Sequence, residues 1–364
     1  MRVGVVGVNG IGQAHLFALG SSLAAVCDVD TERANKAGEA HHVPSFTDAS
    51  QMFASGLDAA VIATPPGTHS DLVRRAFAAG LHVYCEKPIA PMSDDGYALA
   101  ADARERGRVL QVGFQFRFHK GYAAMRAAVA ELGPPRRVDI TATNWFRAQK
   151  YFDASPWRAA WRMAGGGVLM TQAVHQLDAM IATVGMPSRV RGQVRRAQHD
   201  AEVEDEAEAE LEWRTGARGH LVASLTEPAG CERFEIVCEQ GTVVLSDGYD
   251  VRVARHDEVQ RLVDECPDEF PEQPVAWEAI DVPRAPSEWF DMMLDAHRDF
   301  AEAIERGRGP AVDAHQGTLS VELANAIYLS SVTGEAVDLP LRHGAYRSVY
   351  EELAAGRSLP GSGA

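Results

Sequence analysis

Arg2-Val3-Gly4-Val5-Val6-Gly7-Val8-Asn9-Gly10-Ile11-Gly12-Gln13-Ala14-His15-Leu16-Phe17-Ala18-Leu19 decides how this chain is read. Residues 2–6 form a short apolar run suited to a buried strand, and Gln13 to Leu19 reads as a helix. Between them lies a glycine turn, Gly7 to Gly12, with Ile11 at the mouth of the helix. Such a turn lets backbone approach a pyrophosphate, and the helix N-terminus faces its negative charge. The second apolar strand, Leu23 to Val26, ends in Cys27-Asp28, which places a carboxylate where adenosine ribose hydroxyls would be held. The expected ligand is a dinucleotide. Asp28 would repel a 2′-phosphate, so NAD is expected over NADP. Asn9 stands where the usual spacing has its second glycine, and asparagine tolerates left-handed backbone better than most residues.

Working outward, strands are expected at 2–6, 23–27, 58–63, 81–85 and 109–112, with helices at 11–20, 31–40, 67–79 and 93–106. Alternation of this kind gives a doubly wound parallel sheet with right-handed crossovers. The pattern changes after Gly113, and the domains are expected to be 1–119 and 120–364. A helix at 120–131, a strand at 136–147, an apolar helix after Gly165-Gly166-Gly167 and mostly strands over 189–255 suggest an α+β second domain that caps the first and shares a substrate pocket with it. In 202–213 glutamates alternate with apolar residues, the period of a sheet with one wet face. Residues 256–285 read as an irregular excursion, followed by helices at 286–306 and 315–333, a strand near 336–339 and a Gly/Ser-rich tail after Leu359.

With 364 residues and a net charge of −16, the chain is suited to two domains and poorly suited to nucleic acid or anionic lipid. The same charge points away from a highly anionic substrate unless local arginines override it. Five cysteines without a Cys-x-x-Cys pair suggest reduced thiols, a cytoplasmic location and no metal site. The early first strand leaves no room for a signal peptide, and no apolar run is long enough for a membrane span.

Three further motifs bear on chemistry. Thr64-Pro65-Pro66-Gly67-Thr68-His69 follows the third long strand, in position to pass under the nicotinamide, with His69 capping or packing. Glu86-Lys87-Pro88 ends the next strand at the same sheet edge, where Lys87 is placed to take a hydroxyl proton as hydride leaves. On the helix after the glycine triplet, Thr171, His175 and Asp178 share a face, with Gln172 beside them. Gln115 is placed to reach cofactor or substrate.

Taken in order, the glycine turn, the Thr-Pro-Pro loop, Glu86-Lys87-Pro88 and the Gly-Gly-Gly…His175 helix resemble the Gfo/Idh/MocA oxidoreductases, which include glucose–fructose oxidoreductase and myo-inositol 2-dehydrogenase. The resemblance implies a Rossmann domain followed by an α+β domain on a large open, mostly antiparallel sheet that often mediates homo-oligomerisation. It implies that Lys87 is the catalytic lysine, that the Lys87–Pro88 bond is cis, and that His175 is the second acid/base group. Many members carry Asp one turn before that histidine; here Thr171 can only hydrogen-bond. Arg117, Trp145, Arg147, Tyr151, Trp157, Arg158 and Trp161 are candidates for the substrate side, Arg158 and Trp161 foremost. The expected activity is NAD-dependent hydride transfer at a secondary alcohol of a sugar, cyclitol or sugar derivative. The alternatives are a glycoside hydrolase using transient ring oxidation, and a non-catalytic sugar sensor.

Overall fold

The structure, a computed structural model, describes residues 1–270, 275–284 and 287–359. The tail beyond Leu359, residues 271–274 and 285 of the expected excursion, and residue 286 at the start of the expected helix lie outside the described residues. Two compact units emerge. The first joins Met1–Arg117 to Ser155–Val174 and Ser287–Glu322, and the second holds the remaining described residues. The units are thus discontinuous, unlike the single division expected between residues 119 and 120.

In the first unit, six parallel strands run β1 Val3–Val6, β2 Leu23–Cys27, β3 Ser45–Phe46, β4 Ala59–Ile62, β5 His82–Cys85 and β6 Leu110–Val112, in the order β3-β2-β1-β4-β5-β6. Helices α1 Ile11–Leu19, α2 Thr31–His41, α3 Ala49–Phe53, α4 His69–Ala78 and α5 Ser93–Glu105 make the connections. β1 and β4 are buried at every position, as strands covered on both faces must be. A fully buried aliphatic side chain such as Val5 or Ile62 contributes about 1.5–3 kcal/mol. The sequence reading missed β3 and α3, which are two and five residues long and too short to show a period. Late in the chain, Glu288–Arg306 and the start of Ala314–Thr333 return to this unit. There the amide of Val112 donates to the carbonyl of Val312 at 3.0 Å.

The second unit is built on nine strands: β7 Pro135–Ala142, β8 Arg189–Arg195, β9 Glu206–Glu212, β10 Arg218–Ser224, β11 Glu232–Cys238, β12 Gly241–Ser246, β13 Asp250–Arg255, β14 Trp277–Ile280 and β15 Val337–Asp338. Their order is β14-β13-β12-β11-β7-β10-β9-β8-β15, antiparallel except for the β7–β10 pair. β7 ends five residues before the expected 147. The excursion contains β14, an edge strand whose exposed side chains gave no alternation to read. Alternation holds through β9, where Ala207, Ala209 and Leu211 are buried between outward glutamates. Across the pair, Arg189, Arg191 and Arg195 of β8 stand opposite Glu212, Glu210 and Glu206; Arg195 pairs with Glu206, while Arg189 pairs with Asp338 and Arg191 donates to the Gly334 carbonyl. Glu204 departs from the expected wet face: it is wholly buried and accepts from the Tyr328 hydroxyl at 2.7 Å. The ladder begins only at Glu206, so Glu204 lies outside the alternation.

Just before β9, Asp205 receives the amides of Ala197, Gln198 and His199 at 2.6, 2.9 and 2.9 Å, and lies 2.9 Å from His199 Nδ1. Burial raises its pKa, but these hydrogen bonds outweigh burial and hold the carboxyl below its ordinary value. The unfolded value is about 3.9. Stability from this carboxylate is therefore complete above that pH and is lost as pH falls through the lower, folded value. Asp205→Asn is expected to lower the urea midpoint at pH 7 and to lower it less at pH 3. Equal losses at both pH values would show that the charge is not what holds this turn.

Candidate active site

A parallel sheet puts the carboxyl ends of its strands at one edge, and in the first unit every strand that leads into a motif ends there. The ladder continues one residue further. Gly7 donates to Cys27, Ala63 to Val6, Glu86 to Ile62 and Gly113 to Cys85, all at 2.8–2.9 Å, while Asp28 donates to Phe46 at 3.2 Å. The loops therefore leave the sheet in register.

At the glycine turn, a Cβ on Gly12 would lie 2.0 Å from the carbonyl oxygen of Gly7, so no larger residue allows this turn. Gly10 takes φ +56° and precedes α1 with no side-chain cap. The left-handed conformation anticipated for Asn9 falls instead on Gly10, and Asn9 Oδ1 accepts from the Gly10 amide at 2.9 Å. The helix mouth thus has no capping side chain, the arrangement that suits a diphosphate. Asp28 is 7% exposed; its Oδ2 accepts from the Val8 amide at 3.2 Å and its Oδ1 from the Asp30 amide at 3.0 Å. Asp30, not Asp28, caps α2 through the Arg33 amide at 3.0 Å. Asp28 is therefore held at the turn without being spent on the helix. The Arg33 guanidinium is 4.0 Å from Asp28 Oδ1. These groups fit an adenine dinucleotide: a turn closed to side chains at Gly7 and Gly12, an uncapped helix N-terminus and a fixed carboxylate.

Beyond β4, Thr64 and Thr68 hydroxyls meet at 2.7 Å, and Thr68 donates to the Pro65 carbonyl at 2.8 Å. His69 is fully buried and spans from the Thr64 carbonyl (2.7 Å) to the Pro88 carbonyl (2.9 Å), strutting one loop against the other. Burial holds its pKa below the ordinary value. Its place is that of a packing residue. Beyond β5, Lys87 Nζ donates to the Thr171 carbonyl at 2.8 Å, and the Lys87–Pro88 bond is cis. Gln115 is buried in the turn after β6, and its Oε1 has no partner among the described residues.

Glu86 anchors a cluster that the sequence reading did not single out. It is 4% exposed, and its Oε1 lies 3.0 Å from His15 Nε2, while His15 Nδ1 lies 2.8 Å from His297 Nε2. His297 stacks on Tyr84 with ring centroids 5.0 Å apart. Burial, reinforced by His15, keeps His297 well below its ordinary pKa; burial, reinforced by Glu86, keeps the Tyr84 phenol well above its own. Glu86 Oε2 accepts from the Lys87 amide at 3.2 Å. A chain of imidazoles from two helices thus orients the carboxylate next to Lys87. The available signal was a histidine on the apolar face of α1, three residues after Gly12. Its partner His297 is 282 residues away, beyond any local pattern.

The expected single helix after the glycine triplet is two. Val168–Thr171 ends at Gln172, and Val174–Val184 follows. Gln172 and Ala173 amides both turn back to the Val168 carbonyl, at 3.1 and 2.8 Å, and the Thr171 hydroxyl donates to Gly167 at 2.7 Å. This break puts Thr171 on a different helix from His175 and Asp178. Trp161, expected on the substrate side, has no exposed surface in the structure. Arg158 and Arg117 remain half-buried, with the Arg158 guanidinium 5.3 Å from the Trp157 ring centroid.

In the second unit, His175 is 5% exposed in the first turn of its helix. The next residue, Gln176, donates to Glu232 Oε1 at 2.5 Å, and Tyr122 donates to the same oxygen at 2.6 Å. Glu232 fixes the rotation of the helix that carries His175. Burial raises the Glu232 pKa despite these hydrogen bonds. Tyr151 is half-buried in the segment after β7.

Residues 1–114 match the oxidoreductase family with an NAD-binding Rossmann fold, and residues 122–244 match the GFO/IDH/MocA C-terminal domain. The chain is similar to D-xylose 1-dehydrogenase (NADP(+)) 2 of Haloferax volcanii, 27% identical over 93% of this chain and 100% of that protein. It is similar to inositol 2-dehydrogenase 3 of Saccharopolyspora erythraea, 30% identical over 68% of this chain and 73% of that one. Among solved structures it is similar to the WlbA dehydrogenase from Bordetella pertussis in complex with NADH and UDP-GlcNAcA, at 26% identity and TM-score 0.79 over 94% of this chain and 99% of that one. With both halves of the chain matched and this likeness extending over nearly its whole length, the protein belongs to the Gfo/Idh/MocA family of oxidoreductases.

Proposed function

We propose that this protein is an NAD-dependent dehydrogenase of a secondary alcohol on a sugar, cyclitol or sugar derivative. The observation that carries the reading is Lys87, held by Thr171 at the same sheet edge as the glycine turn and Asp28. Bound nicotinamide supplies the hydride acceptor or donor. The cofactor is assigned to Gly7, Asn9, Gly10, Ile11, Gly12, Asp28, Thr64, Pro65, Glu86 and Gln115, with His69 bracing the loops. Lys87 Nζ takes the hydroxyl proton in oxidation and returns it in reduction, and His175 is the second acid/base group. Thr171 spends its hydroxyl on Gly167, so it contributes no proton step. Arg117, Tyr151, Arg158 and Gln172 are assigned to substrate hydroxyls. Relatives named as dehydrogenases of xylose and inositol support this reading over glycoside cleavage or sensing. We further assign a homo-oligomer, supported by the open nine-stranded sheet and tested by size-exclusion chromatography with light scattering, and a cytoplasmic location, supported by the free cysteines.

Screening sugars and inositols for NADH absorbance is expected to reveal net turnover. Lys87→Ala should then lose about 10²–10⁴ in kcat, the worth of a positioned general base, while NADH still binds by fluorescence titration. Unaltered turnover in that variant would remove Lys87 from the mechanism. Asp28 sets the cofactor: Asp28→Ser is expected to raise KM for NAD about tenfold, the loss of one charge-assisted hydrogen bond, and to improve NADP use because Arg33 is already 4.0 Å away. A wild type that uses both cofactors equally would overturn the preference.

A further inference from the structure

The segment after β7 holds one arginine in an unusual setting. The Arg147 guanidinium carbon lies 5.4 Å from the Trp145 ring centroid and 5.3 Å from that of Tyr151. Its peptide is fixed on both sides: the amide donates to the Leu225 carbonyl at 2.9 Å, and its own carbonyl contacts His199 Nε2 at 2.8 Å. His199 is in turn held by Asp205. The side chain is half-buried, yet it forms no ion pair among the described residues. Its guanidinium donates from Nη1 to the Phe146 carbonyl at 3.0 Å. Two carboxylates on these segments are committed elsewhere: Asp153 accepts from Gln149, and Asp205 from three amides. The indole Nε1 of Trp145 is also buried without an acceptor among the described residues.

A half-buried cation normally recovers its lost hydration from a carboxylate. Here two aromatic faces and a pinned backbone hold the planar fork in place with donors still unspent, in a chain whose net charge is −16. Aromatic stacking orients a guanidinium while leaving its edge for an oxyanion. We propose that Arg147 is a binding group of the second unit for an anionic sugar, through its carboxylate or phosphoryl group. This binding does not rest on the dehydrogenase reading. Arg147 is then the local arginine that overrides the expectation from bulk charge.

Calorimetric titration in the presence of NADH tests this with D-glucuronate, D-glucose 6-phosphate and neutral D-glucose as probes. At least one anionic sugar is expected to bind tenfold or more tighter than glucose, with affinity falling as salt rises. The carboxylate and phosphate arms show which anion is preferred. Arg147→Met should lose about 10–100-fold for that anion, the worth of charge-assisted hydrogen bonds, and change glucose affinity less than twofold. Arg147→Lys should restore part of the loss. Tyr151→Leu, which keeps the charge but opens the clamp, guards against misfolding of the first variant and is expected to weaken the same probe. Equal binding of charged and neutral sugars, or equal losses for both in Arg147→Met, overturns the proposal. Tight binding of an anionic sugar without any turnover would sink the dehydrogenase reading and leave this one standing; turnover confined to neutral sugars, with no preference in binding, would do the reverse.

Discussion

Everything in the first unit depends on a parallel ladder that does not stop where the strands do. A parallel sheet sends all its strand ends to one edge, but an edge alone gives loops that could leave in any direction. Here the residue just past β1, β2, β4, β5 and β6 still donates to a neighbour. Gly7, Asp28, Ala63, Glu86 and Gly113 are therefore fixed in depth relative to one another by backbone hydrogen bonds, whatever their side chains are. The side chains add chemistry to positions the backbone has already set. This is why residues from five separate strands can serve one ligand without a rigid framework of their own.

The second constraint is that the carboxylate next to Lys87 is buried. An unpaired carboxylate in this position would take up a proton or turn away. Glu86 instead faces His15, and His15 faces His297, so each imidazole fixes the orientation of the next. The helix bearing His297 comes from the far end of the chain, which explains why residues 287–322 belong to the first unit at all. In the second unit the same economy appears on a smaller scale, with Glu232 gripping Gln176 beside His175. In both units a buried acid orients a segment that carries a candidate proton-transfer group.

Legibility followed locality. The first strand, the turn, the helix and Asp28 were readable because their signals fall within thirty residues and obey fixed periods. Lys87 was readable from an apolar strand running into a proline. The β9 alternation was readable, but Glu204 was not, because its partner Tyr328 is 124 residues away. The helix break at Gln172 was hidden because nothing in Val168–Val184 is a helix breaker; the break comes from amides turning back on the Val168 carbonyl. Trp161 shows the complementary limit. Aromatic residues near a proposed pocket serve packing or ligand equally well on paper, and only burial separates the two.

Charge shows the difference between a sum and a site. A net −16 describes the field seen from a distance, and at physiological ionic strength that field fades within about 8 Å. On β9 one glutamate of the acidic stripe, Glu206, is paired at short range with Arg195 across the ladder. Arg147 sits in the opposite situation. Trp145 and Tyr151 flank its guanidinium, Asp153 and Asp205 are spent on Gln149 and on amides, and its backbone is hydrogen-bonded on both sides. A ligand meets the group, not the total, and recognition is therefore decided by the few ångströms around one guanidinium.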